Sequence, residues 1–77
     1  YFTVNILNFA KHIDIDYGRL DSFVVYMAVE GKTLIGAPSL EQPIEIAKGE
    51  TVLIPAEMKE IELTPLNGES RLLEIYI

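Results

Sequence analysis

The residues of this chain best suited to chemistry by type and spacing are His12, Asp14 and Asp16. They alternate with Ile13, Ile15 and Tyr17. An extended backbone therefore puts the imidazole and both carboxylates on one face and the apolar groups on the other. An imidazole beside two carboxylates can ligate a divalent cation. A transition-metal centre ordinarily draws on more nitrogen or sulfur donors than one such strand supplies, so the plainer reading is the solvated face of an outer strand. Glu60 and Glu62 repeat the i,i+2 spacing. Paired carboxylates do acid–base work when a cleft shifts their pKa values; elsewhere they form a solvated acidic face. A Ser-His-Asp set would have to join His12, the single histidine, to Ser22, Ser39 or Ser70, and none of these serines sits in a recognisable elbow. Tyr1, Tyr17, Tyr26 and Tyr76 could stack on a sugar, although such tyrosines more commonly form the wall of a barrel. No glycine-rich phosphate loop precedes a helix. No residue is assigned as catalytic, as a cofactor ligand or as a metal ligand.

These side chains have to be positioned by strands. Residues 49–64 organise the rest. They read as a β-hairpin with a wide corner: Thr51 to Ile54 is β-branched and apolar, Pro55 ends that strand, and Ile61 and Leu63 alternate with Glu60, Glu62 and Thr64. Residues 1–9 read as a strand apolar on both faces, with Phe2, Val4 and Ile6 on one side and Tyr1, Leu7 and Phe9 on the other. Residues 12–17 form a second strand, and the turn at residues 18–21 follows. Residues 23–29, again apolar on both faces, are expected to be the most buried strand. Glu30-Gly31-Lys32 reads as a tight hairpin turn into residues 33–36. Ile44 and Ile46 mark a short strand, Ala47 to Glu50 a turn, and Asn67-Gly68 a further turn before a last strand at residues 70–77. In that strand Leu73, Ile75 and Ile77 oppose Leu72, Glu74 and Tyr76. No window sustains a 3.6-residue apolar period, so no helix longer than a turn is expected. The sum is about eight short antiparallel strands, the pattern of an all-β sandwich or barrel.

The composition bounds the function. Seventy-seven residues make one domain at most, and nearly half of them are apolar. A net charge of −6 argues against nucleic acid and anionic membrane surfaces as partners. There is no apolar run long enough to span a bilayer and no basic-then-apolar leader. The absence of cysteine excludes disulfides and thiolate metal sites and fits a reducing, cytoplasmic compartment. The chain opens on Tyr1 rather than Met, which suggests a fragment of something longer.

Two resemblances sharpen the reading. The second motif of the cupin barrels is G-x5-P-x-G-x2-H-x3-N. Gly49 and Pro55 match it, while Glu57, Glu60 and Thr64 stand where the second glycine, the metal-binding histidine and the asparagine would fall. Glu30-Gly31 resembles the turn that ends the first cupin motif, but no His-x-His precedes it. The scaffold therefore resembles a cupin whose metal site is erased. More closely, Tyr1-Phe2-Thr3-Val4, Glu30-Gly31, the run Lys48 to Ala56 and the ending Leu72 to Ile77 occur in an order that resembles the C-terminal domain of short bacterial class I mannose-6-phosphate isomerases.

This resemblance covers essentially the whole chain. It implies a single degenerate cupin-like jelly roll over residues 1–77. It also implies a parent enzyme that uses zinc to interconvert mannose 6-phosphate and fructose 6-phosphate. The zinc ligands and sugar-phosphate-binding groups would belong to a preceding N-terminal catalytic domain of the same chain, which would be this domain's partner. Phe2, Phe9, Leu72 and Tyr76, on the terminal strands, either form the seam or complete the domain's own small core. Two rival functions are a metal-free barrel binding a small sugar-like ligand with Tyr26 and Glu60 in its wall, and a metalloenzyme built on His12, Asp14, Asp16 and a carboxylate from elsewhere.

Overall fold

The computed structural model describes residues 2–77, so the place of Tyr1 in the first strand lies outside the described residues. Eight strands follow in order: β1 (Thr3–Phe9), β2 (Ile13–Asp16), β3 (Val24–Glu30), β4 (Lys32–Gly36), β5 (Ile44–Ala47), β6 (Thr51–Ile54), β7 (Glu60–Pro65) and β8 (Ser70–Tyr76). They form two four-stranded sheets, sheet A in the order β1-β8-β3-β6 and sheet B in the order β2-β7-β4-β5. Every pairing is antiparallel. The result is an all-β jelly roll, as the strand pattern implies. Among the described residues no helix is long and apolar enough to cross a membrane.

The strands lie where alternation and turn residues put them, but two pairings differ from expectation. Residues 49–64 are not a hairpin: β6 pairs with β3, whereas β7 pairs with β2 and β4. Glu30-Gly31-Lys32 is not a hairpin turn either, because β3 belongs to sheet A and β4 to sheet B. Only the β4–β5 connection stays within one sheet. All the others cross, because each sheet has an apolar face that must be buried and neighbouring strands in the chain bury theirs from opposite sides.

The core lies between the sheets. Val24, Tyr26 and Ala28 of β3, Leu72 of β8 and Ile54 of β6 meet Ile35 of β4, Ile46 of β5 and Ile61 and Leu63 of β7. Strand β3 is thus buried on one face only; Phe23 and Met27 on the other face are exposed. Strand β1 behaves likewise, with Phe9 buried and Phe2, Val4 and Ile6 in solvent.

The crossing from β3 to β4 is tightly specified. A register shift between Ala28 and Glu30 bends β3 against β8. Gly31 then turns the chain with φ of 75°. The Lys32 carbonyl accepts hydrogen bonds from the Leu66 amide at 2.9 Å and the Ser70 hydroxyl at 2.9 Å, tying this crossing to the β7–β8 crossing. A Cβ on Gly31 would lie 2.6 Å from the Glu69 carbonyl oxygen, whereas Gly68 at φ 88° has nothing within 4 Å. Gly68→Ala should therefore cost about 1 kcal/mol for the left-handed backbone alone. Gly31→Ala should cost about 3 kcal/mol, because backbone must also be displaced. Guanidinium unfolding of both variants checks this, and equal losses would show that the Glu69 backbone yields freely.

Candidate functional site

Strands β2 and β7 bring the chemically interesting side chains together on the outer face of sheet B. Asp14 lies directly opposite Glu62, and Asp16 opposite Glu60. Ile13, Ile15, Ile61 and Leu63 point inward, which fixes this register, since a slip of one residue would put the carboxylates into the core. His12 Nε2 lies 2.9 Å from Asp14 Oδ1 and 3.7 Å from Glu62 Oε1, and its Nδ1 lies 2.9 Å from Thr64 Oγ1. Ligating atoms of His12, Asp14 and Glu62 all fall within 4.8 Å of one another. An open groove of about 400 Å³ adjoins them, lined by Asp14, Ile15, Asp16, Pro38, Glu60, Ile61 and Glu62.

The expected trio is thus split. His12 and Asp14 converge, but Asp16 does not join them: its Oδ1 accepts the Gly18 N–H at 2.7 Å and shapes the following turn. The carboxylate from elsewhere is Glu62, brought in by strand pairing. The Glu60–Glu62 pair stays exposed on the outer face, on the wall of the open groove. Nor is a serine triad assembled. Ser22 donates to the carbonyls of Phe23 and Ile77 and Ser70 to that of Lys32, and among the described residues no serine hydrogen-bonds to His12.

The interior holds a second polar group of residues, which alternation alone did not reveal. Glu74 is only 7% exposed. Its Oε2 accepts the Tyr17 hydroxyl proton, and its Oε1 accepts Asn5 Nδ2–H at 3.0 Å. The Tyr26 hydroxyl, wholly buried, donates in turn to the Tyr17 oxygen. Burial pushes the Tyr17 hydroxyl far above the usual phenol range, and its bonds to Glu74 and Tyr26 push it further. Burial also raises Tyr26, where the Tyr17 bond partly opposes the shift and the Glu74 charge adds to it. Leu72, Glu74 and Tyr76 share one face, as alternation predicts. That this face is the inner one could not be read while both faces looked apolar.

Among the described residues no set of zinc ligands gathers inside this barrel. Glu60 points out from β7, Glu57 is exposed in the β6–β7 corner and Thr64 bonds His12 outside. The buried interior carboxylate, Glu74, is committed to Tyr17 and Asn5. Tyr26 is sealed in the core while Glu60 faces solvent, so they cannot form two sides of one sugar site.

No family model matches the sequence, and no curated protein matches it significantly. Solved structures do resemble it. A cupin-2 domain containing protein from Shewanella frigidimarina superposes with a TM-score of 0.78 at 18% identity, over 97% of this chain and 69% of that one. The fold is that of the cupins. A cupin superfamily protein from Desulfitobacterium hafniense gives a TM-score of 0.73 at 16% identity, over 99% of this chain and 66% of that one. The Clostridium difficile EutQ protein gives 0.73 at 13% identity, over 96% of this chain and 54% of that one. The chain therefore spans between about half and two-thirds of the length of these three proteins.

The buried tyrosines make the cupin barrel sensitive to alkali. Both hydroxyls titrate higher in the folded chain than in the unfolded one, so the folded state holds more protons above pH ~10. Their stabilisation is fully present below pH ~10 and lost above it, by about 1.4 kcal/mol per pH unit for each hydroxyl still protonated. Denaturant unfolding between pH 8 and 11.5 should show this decline. A Tyr17→Phe/Tyr26→Phe double variant, less stable at pH 8, should show a flatter slope, and an unchanged slope would place the alkaline sensitivity elsewhere.

Proposed function

We propose that residues 1–77 are the non-catalytic C-terminal cupin domain of a cytoplasmic, zinc-dependent isomerase that interconverts mannose 6-phosphate and fructose 6-phosphate. In this reading the domain docks on an N-terminal catalytic cupin domain of the same chain, which holds the zinc and the sugar phosphate. The observation that carries the docking role is the outer face of sheet A. It presents Phe2 just before β1 and Val4 and Ile6 within it, Phe23 just before β3 and Met27 within it, Leu53 in β6 and Ile77 after β8, all exposed. Strand register makes the patch continuous, with Val4 beside Ile75, Ile75 beside Val25, and Val25 beside Leu53.

At roughly 100 Å² for each half-exposed large side chain, the patch is on the order of 700 Å². The largest patch on a typical monomer is about 300–600 Å², and a standard interface buries about 800 Å² per partner. The sequence-level resemblance supplies the identity of the parent, and the absence of an interior ligand set among the described residues supports a domain that does no chemistry itself. The seam moves accordingly. Phe9 and Leu72 are core residues and Tyr76 packs against the core, so of the four seam candidates only Phe2 lies on the patch.

Two measurements test this. With zinc supplied, the full-length parent should isomerise mannose 6-phosphate while residues 1–77 alone should not; an inactive parent would remove the isomerase assignment. Separately, Ile6→Ser with Leu53→Ser should change the stability of residues 1–77 by no more than about 0.5 kcal/mol, since both side chains are in solvent. In the parent the same pair should lower the unfolding temperature by several degrees. Equal small effects in both would show that sheet A is not the seam.

A further inference from the structure

We propose that His12, Asp14 and Glu62 bind one divalent cation of the zinc class on the outer face of sheet B. This site is separate from the barrel interior and lies on the sheet opposite the apolar patch, so it does not rest on the isomerase reading and stays open when sheet A is covered.

The donor set is mixed. An imidazole with two carboxylates selects a borderline transition ion over calcium or magnesium, which prefer oxygen alone. The three donors already converge within 4.8 Å. Zinc bonds to nitrogen and oxygen are about 2.0–2.2 Å long, so small side-chain rotations complete the set. Three protein donors leave a fourth coordination position free, and the open groove adjoins two of the three, Asp14 and Glu62.

Thr64 supplies the outer support that such a histidine needs. Its hydroxyl lies 2.9 Å from Nδ1. With Nδ1–H donating to Thr64, the Nε2 lone pair points at the two carboxylates, where three electron-rich atoms meet and a cation is called for. Without a cation, the Thr64 hydroxyl donates to Nδ1 instead and Nε2–H donates to Asp14. The threonine serves either tautomer.

The electrostatics of the strand pair point the same way. Asp14 faces Glu62 and Asp16 faces Glu60, two like-charged cross-strand pairs in succession, an arrangement that destabilises a sheet. Among the described residues no lysine or arginine comes within ion-pair distance of any of the four, and His12 alone approaches two of them.

Calorimetric titration of residues 1–77 with zinc chloride in 0.15 M salt tests the site, because salt screens diffuse attraction to an acidic surface. One equivalent is expected to bind, with a matching rise in unfolding temperature. His12→Ala and Thr64→Val should each weaken binding about tenfold or more, with unchanged circular dichroism. Asp16→Asn should bind as the unaltered chain does, and calcium should give no saturable heat. The proposal is overturned if zinc gives no saturable heat. It is equally overturned if calcium binds as well as zinc and His12→Ala changes nothing, since the acidic face would then be attracting cations without a site.

Discussion

Burial of one face of each four-stranded sheet against the other governs this barrel, and it is achieved almost entirely through pairings distant in sequence. Strand β1 is zipped to β8, from Thr3 beside Tyr76 to Phe9 beside Ser70. Strand β3 lies between β8 and β6. Apart from β4–β5, no neighbouring pair of strands can form its ladder locally, so the loop-closure entropy is met only once both ends of the chain are in place. The corners where the chain changes sheet therefore carry strict backbone demands. The bulge after Ala28, the left-handed Gly31 and the doubly engaged Lys32 carbonyl are one such corner.

Because the two inner faces make the core, the two outer faces are free to differ, and they differ completely. Sheet A turns valine, isoleucine, leucine, methionine and phenylalanine to solvent. Sheet B turns out His12, Asp14, Asp16, Glu60 and Glu62. An apolar sheet face of this size is costly in water and suits burial against another surface. An acidic face stays hydrated. The barrel thus has one apolar outer side and one acidic outer side.

The interior is also not uniformly apolar. The carboxylate of Glu74 is tolerated beside Leu72 only because Tyr17 and Asn5 satisfy both of its oxygens, while Tyr26 completes the chain of donors. This closed network occupies interior space in a fold that, in its metal-binding members, the resemblance associates with histidine ligands. Both oxygens of its one carboxylate are engaged within the network.

Much of this was determined by the sequence itself. Alternation within 12–17 and 60–64 put the polar groups of β2 and β7 on single faces, and proline and glycine marked the ends of the strands, because side-chain direction has a period of two whatever the partner. The all-β class follows from the same pattern, and the lack of histidine at the cupin ligand positions is a property of the sequence alone. Pairing was not legible. A turn between two strands looks alike whether it closes a hairpin or crosses between sheets, so residues 30–32 and 49–64 suggested hairpins that the fold does not contain. For β1, β3 and β8, apolar on both sides, only packing decided which face went inward; that choice buried Glu74 and exposed Ile6. The convergence of Glu62 on His12 and Asp14, about fifty residues away in the chain, likewise exists only because β2 pairs with β7 in one register.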